Sequence, residues 1–224
     1  SIPSEGKSTT TINLAIALAD AGKRVALIDA DLRKPKVADY LGIEGGVGLT
    51  DVLIGRVKVG DAMLPWGERS LYVLPAGKVP PNPSELLGST RMSALLKSLS
   101  EQFDVVLCDA PPLLPVTDAA VLAKLTSGAL VAVAAGRTTT GQLRGALDSL
   151  DTVGAKIGGV ILTMIPTRGP DAYGYGYGYG YGGYGGYGEY VADPVEVSTE
   201  GEATVTNASA DEPIRRRSNA RPAE

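Results

Sequence analysis

Five short apolar runs punctuate the first 165 residues, and each is nearly unbroken: 24–30 (RVALIDA), 71–75, 104–109 (DVVLCD), 129–135 (ALVAVAA) and 159–165 (GVILTMI). A strand with one wet face alternates apolar and polar residues, whereas a strand covered on both faces of a parallel sheet reads as a continuous run. Helical patterns lie between the runs. Over 8–21, Ile12, Ala15, Ile16 and Ala19 fall on one face, and Gly22 is placed to end the helix. Pro83-Ser84-Glu85 opens a second helix reaching about Leu99, and 117–125 and 139–153 read as two more. Strand and helix in strict alternation predict right-handed crossovers and a layered α/β sheet.

The chain opens on Ser1-Ile2-Pro3-Ser4-Glu5-Gly6-Lys7-Ser8, followed by Thr9 and Thr10. This matches a phosphate-binding loop except that Ser1 stands where the first glycine would be. Backbone N–H groups of such a loop, and of the helix it leads into, point at phosphate oxygens. Ser4, Glu5, Gly6, Lys7, Ser8 and Thr9 are the expected nucleotide contacts. Lys7 would reach the β- and γ-phosphates of ATP, and the Ser8 hydroxyl would ligate Mg²⁺. The competing reading is a capped helix start with a chance GKS. Such a loop normally follows a strand, so a first strand upstream of Ser1 is expected; a different start-site assignment is the alternative. The expected fold class is thus a P-loop NTPase-like parallel sheet flanked by helices.

Two further motifs end apolar runs on carboxylates. Asp29, Asp31 and Arg33 follow the first run, at the sheet edge where open α/β proteins bind ligands. Period-two alternation puts Asp29 and Asp31 on one side, placed to share a cation, unless Asp31 and Arg33 merely form a surface pair. Four apolar residues then lead to Asp109, the Walker B pattern, with Asp109 expected to hold Mg²⁺ through water. Cys108, inside that run, reads as a small core residue rather than a nucleophile.

Composition excludes much else. The 224 residues contain no histidine and one cysteine. That rules out Ser-His-Asp and Cys-His triads, histidine or cysteine zinc sites and an internal disulfide. No apolar run approaches the ~18 residues of a membrane span. The net charge of −4 argues against a nucleic-acid partner. That charge is uneven: residues 1–172 hold 17 basic and 17 acidic side chains, and 173–224 hold 4 and 8. Residues 173–190 contain eight tyrosines and nine glycines, 189–212 carry seven acids and no base, and Arg215-Arg216-Arg217 follow. Nothing there has a core-forming period, so 170–224 is expected to be disordered, with the arginines part of a solvated tail. The tyrosine stretch alone reads as a spacer; beside a nucleotide site it reads as an acceptor substrate.

Together, the GKST-type loop, LIDADLRKP, VVLCDAPP and the tyrosine cluster resemble the bacterial tyrosine kinases (BY-kinases) over about residues 1–190. The stretch 79–87 is similar to the linker into a helix in that family. The resemblance implies a kinase domain over 1–169, truncated at its N-terminus, an autophosphorylation cluster over 170–190, and an acidic then basic tail over 191–224. It implies ATP and Mg²⁺ as cofactors and Tyr173, Tyr175, Tyr177, Tyr179, Tyr181, Tyr184, Tyr187 and Tyr190 as acceptors. It also implies a role in capsular or exopolysaccharide synthesis and export at the cytoplasmic face of the cell membrane. The implied partners are further copies in a homo-oligomer, a membrane-spanning chain-length regulator and a tyrosine phosphatase. MinD/ParA-type ATPases share the ancestry, but their signature lysine position is Ile2 here. Thr163 stands where such folds often carry Asn, which bears on base contacts.

The mechanism expected from these residues is phosphoryl transfer. A tyrosyl hydroxyl with a pKa of about 10 needs a base at neutral pH. Lys7, Asp29 and Asp31 are the expected catalytic residues: Asp29 accepts the proton, Asp31 assists it or the metal, and Lys7 neutralises charge on the β–γ bridge. Ser8 and Asp109 are the expected metal residues, and Arg33 is the nearest arginine-finger candidate. The other readings are an ATPase working as an assembly or positioning switch, and an interaction module with a dead nucleotide site.

Overall fold

The computed structural model describes residues 2–68 and 70–166. Ser1, the tyrosine cluster and the acidic and basic tail lie outside the described residues, as do the expectations that fall on them. The elements run α1 (Lys7–Asp20), β1 (Val25–Asp29), α2 (Val37–Leu41), α3 (Leu49–Leu53), α4 (Val59–Ala62), β2 (Leu64–Trp66), β3 (Leu71–Leu74), α5 (Pro83–Leu87), α6 (Thr90–Gln102), β4 (Val105–Asp109), α7 (Asp118–Ala123), β5 (Ala129–Ala134), α8 (Thr140–Thr152) and β6 (Ile157–Thr163).

β1 is the best covered strand. All five of its residues are buried, and it pairs in parallel with β3 on one side and β4 on the other. Alternation divides its side chains between two cores. Val25 and Leu27 pack with Ile12, Ala15 and Ala19 of α1. Ile28 packs with Leu74, Met92 and Leu99 on the opposite face. Each fully buried Leu or Ile contributes roughly 1.5–3 kcal/mol of transfer free energy. Helices on both faces of a parallel sheet are the layering that unbroken apolar runs require. Gly22 ends α1 at φ 81°, in the left-handed region that glycine tolerates.

Three features depart from the sequence reading. The sheet gains an antiparallel edge, because β2 pairs with β3 through Leu64, Pro65 and Trp66; Pro is tolerated only on such an edge. The helix expected over 83–99 is two helices. It breaks at Gly88, and Ser89 restarts it by accepting the Met92 N–H on its hydroxyl (3.2 Å). The runs at β4 and β6 were expected to be covered on both faces. Instead Val105, Val106, Leu107 and Cys108 are half-buried, and Val160 and Leu162 are each 48% exposed.

The reason is topological. The strands form one sheet in the order β2-β3-β1-β4 and a separate parallel pair β5-β6. Between β4 and β5 lies a cavity of about 210 Å³, whose lining includes Val106, Cys108, Leu130, Ala132 and Ile161 together with Lys7 and Asp109. Val106, Leu107 and Cys108 of β4 border that slot and lack a neighbour on one side, so they stay partly open; Val160 and Leu162 of β6 lie outside its lining.

Candidate active site

The phosphate loop, the turn after β1 and the end of β4 converge at the carboxyl edge of the four-stranded sheet. α1 begins directly out of the loop, with Gly6 at φ 77° as its N-cap and the Gly6 carbonyl accepting the Thr10 N–H (2.9 Å). Ser4 also has a positive φ, 61°. The loop is braced by Glu5, whose side chain is fully buried. Glu5 accepts the Ile2 N–H and the Thr138 hydroxyl, both at 2.7 Å. Its backbone carbonyl accepts the Thr163 hydroxyl (2.6 Å). Thr163 therefore supports the loop. Arg137 adds a bond to the Ser4 carbonyl (3.2 Å).

Lys7 is folded back over the loop. Its ammonium donates to the Ile2 carbonyl (2.7 Å) and lies 3.7 Å from Glu5. Burial lowers its pKa, while Glu5, Asp109 and Asp31 pull the other way. Thr11, one turn into α1, donates to the Lys7 carbonyl (2.9 Å) and reaches Asp109 Oδ1 at 3.5 Å.

Asp29 and Asp31 sit on one turn but are used differently. Asp29 is fully buried. Its Oδ1 accepts the Asp31 N–H (3.2 Å), and its Oδ2 accepts the N–H groups of Lys36 (3.1 Å) and Val37 (3.0 Å). Burial pushes its carboxyl up to about 7; the Val37 bond opposes this and the neighbouring Asp109 adds to it. Asp31 is half-buried, and its Oδ1 accepts the N–H groups of Arg33 (3.1 Å) and Lys34 (2.9 Å). The turn thus folds around its own two carboxylates.

Asp109 ends β4 and is 1% exposed. Its Oδ2 is buried with no hydrogen-bond partner. Burial pushes its carboxyl up to about 6, with Ser8, Lys7 and Thr11 opposing and Asp31 adding to the rise. Cys108 beside it is pushed up to about 12 by burial and by Asp109, so its thiol stays protonated and offers no nucleophile.

Mg²⁺ fits this donor set. Among the described residues no three His, Cys, Asp or Glu side chains gather into a group that could enclose a metal. A lone buried carboxylate oxygen without a partner, beside the Ser8 hydroxyl, is what an ion that keeps most of its shell as water and phosphate oxygens needs.

Sequence reasoning found the three motifs and missed their braces. Asp118 lies in a segment read only as helical, and Ser84 in the tripeptide read as opening a helix. In the structure the Arg33 guanidinium grips Asp118 through Nε (2.6 Å) and Nη2 (3.1 Å), and the Ser84 hydroxyl donates to the same carboxylate. Arg33, the arginine-finger candidate, is therefore already engaged. Thr138 likewise gave no local signal, because its partner Glu5 is 133 residues away.

Comparison with known proteins agrees with this geometry. Residues 4–141 match the AAA domain family. The chain is 42% identical over 160 residues to the tyrosine-protein kinase YwqD of Bacillus subtilis, covering 71% of this chain and 68% of that one. The solved kinase domain of the Escherichia coli tyrosine kinase ETK superposes with a TM-score of 0.73 at 34% identity, covering 79% of this chain and 69% of that one. A more distant fold relative is the septum site-determining protein MinD of Pyrococcus horikoshii, complexed with Mg-ADP. It is 26% identical with a TM-score of 0.61, covering 72% and 66% of the two chains. The loop, the two carboxylate motifs and the greater likeness to the kinases than to MinD agree: this chain belongs to the bacterial tyrosine kinase family, on a P-loop NTPase fold.

Proposed function

We propose that this kinase transfers the γ-phosphoryl group of ATP to the tyrosines at 173–190 of its own tail. The carrying observation is the partnerless Asp109 Oδ2, buried beside Ser8 and Lys7 at the edge where the Asp29–Asp31 turn arrives. The tyrosyl oxygen attacks the γ-phosphorus, the bond from that phosphorus to the β–γ bridging oxygen breaks, and ADP leaves. The hydroxyl proton passes to the Asp29–Asp31 turn. Asp31 at its surface meets the hydroxyl, and Asp29, held near neutrality, is tuned to accept a proton. Lys7 leaves the Ile2 carbonyl to lie against the phosphates. Ser8 and Asp109 would hold Mg²⁺, which supplies positive charge to the phosphate oxygens.

The wider role follows the same reading. The slot between β4 and β5 suits one more parallel strand leading into the loop, added to the kinase domain of 1–169. Copies held together, and a membrane-spanning regulator, bring tails to neighbouring sites at the cytoplasmic face. There, phosphorylation and a tyrosine phosphatase set the state of polysaccharide export. Each phosphate adds about −1.5 to −2 charge, so a phosphorylated tail repels its neighbours. Among the described residues no helix is long and apolar enough to cross a membrane.

The test incubates a chain that carries the extra strand with Mg-ATP, followed by mass spectrometry of the 173–190 peptide. Phosphotyrosine that disappears in Lys7→Met supports the proposal. ATP hydrolysis with an unmodified peptide would replace it with an assembly ATPase.

A further inference from the structure

We propose that Asp118 is a positioning residue for phosphotransfer: through Arg33 it fixes the turn that presents Asp31. This rests on the reading above, in which Asp31 meets the acceptor hydroxyl.

The direction of the Asp31 carboxylate depends on the course of the backbone after it, since Oδ1 is held by the N–H groups of Arg33 and Lys34. That stretch carries no regular structure, and α2 begins only at Val37. Asp29 pins its two ends by accepting the N–H groups of Asp31, Lys36 and Val37, and the Arg33 side chain ties its middle to the rest of the fold. Its fork spans both oxygens of Asp118, 2.6 Å to Oδ2 and 3.1 Å to Oδ1. A two-point grip sets orientation as well as distance. Asp118 is fully buried at the start of α7 and is anchored in turn by Ser84 at the start of α5. One carboxylate thus binds the turn after β1 to two helices that precede and follow β4. Burial pushes Asp118 up, but the bonds from Arg33 and Ser84 outweigh it and hold the carboxyl below its ordinary value. The grip therefore persists across the neutral range.

The Arg33 side chain is 42% exposed while that of Asp118 is fully buried. The fixed point is Asp118, and the arginine is the arm that reaches out to the turn. A lysine would keep the charge but lose the fork, so Arg33→Lys should behave like Arg33→Gln and not like the parent. A merely structural ion pair would predict the reverse ranking.

The test measures single-turnover tyrosine phosphorylation and the KM for ATP in the full-length kinase. Asp118→Asn and Arg33→Gln should each slow transfer about 10- to 100-fold, the scale of a misplaced reacting group. The KM for ATP should stay within about twofold, because the phosphate loop is untouched. Combined with Asp31→Asn, either change should add nothing further. The proposal is overturned if Asp118→Asn transfers at the parent rate, if it slows the Asp31→Asn protein by its full factor, or if its whole effect is on the KM. Should Asp118→Asn fail to fold, Arg33→Gln, at the half-exposed end of the pair, carries the same comparison. If Asp31→Asn alone transfers at the parent rate, the role of Asp31 falls, and this proposal with it. If Asp31→Asn is slow and Asp118→Asn is not, only this proposal falls.

Discussion

Asp29 and Asp109 are register partners at the ends of neighbouring parallel strands. Both are buried, 0% and 1% exposed, and burial pushes both carboxyls up, to about 7 and about 6. What differs is where their oxygens go. Asp29 takes three backbone N–H groups and ties β1 to the start of α2. Asp109 leaves Oδ2 with no partner. A buried polar atom without a bond costs about 1–3 kcal/mol, and a ligand that took up Asp109 Oδ2 would remove that cost. The same residue type at the same height in the sheet is therefore a knot in one strand and an open hand in the next.

The sharpest way to break this comparison is at Asp109. Asp109→Asn keeps the shape and removes the charge available to a cation or to metal-bound water. Tyrosine transfer should fall by about 10²–10³-fold, the range seen when one electrostatic stabiliser is removed. Single-turnover rates at saturating Mg-ATP read this directly. A rate within a factor of about three of the parent, less than about 0.7 kcal/mol, would mean that Oδ2 is a packing accident.

The second effect is on stability against pH. A carboxyl whose pKa is raised from about 3.9 in the unfolded chain to about 7 in the folded one holds its proton more tightly when folded. Its contribution favours the fold at low pH, declines from about pH 4 to about pH 7, and is level above that. Asp109 adds a decline of the same sign ending near pH 6. Asp118, held low, acts in the opposite sense: its stabilisation is present above about pH 4 and is lost as pH falls further. Urea midpoints of the metal-free protein, compared with those of Asp29→Asn, isolate the first term. The difference should shrink the parent's advantage by a few kcal/mol at most as pH rises through that window. A parent that gains on the variant over the same range would show that Asp29 is not held near neutrality.

Much of this was legible in the residues. The unbroken run at 24–30 announced β1, and Gly6-Lys7-Ser8 announced a phosphate loop opening a helix. Both signals are local: a buried strand needs apolar residues on both faces, and a loop that cradles phosphate needs its own backbone. Three things were not local. The β2–β3 pairing hides behind Pro65, which argues against a strand unless it lies on an edge. The break at Gly88-Ser89 hides inside a pattern that remains helical on both sides. The Arg33–Asp118 grip joins residues 85 apart, and neither residue type marks its partner. Asp29 shows the limit most clearly. Spacing put it beside Asp31 as one of a pair placed to share a cation, and the backbone of Lys36 and Val37 claimed its Oδ2.

The smallest effect isolates the knot from the charge. At about pH 5, below both raised values, each carboxyl carries its proton, so replacing Asp by Asn changes hydrogen bonding with little change of charge. In Asp29→Asn one oxygen becomes an NH₂ facing either the Asp31 N–H or those of Lys36 and Val37. Donor meets donor on one side whichever way the amide turns, at a cost of about 1–2 kcal/mol. In Asp109→Asn the NH₂ can occupy the place of Oδ2, which has no partner to lose. Its cost in the metal-free protein should stay within about 0.5 kcal/mol, the scale of a change that breaks no bond. Urea unfolding of the two variants side by side reads the difference. Equal losses would put the two carboxylates in the same structural role, and the contrast between knot and open hand would be gone.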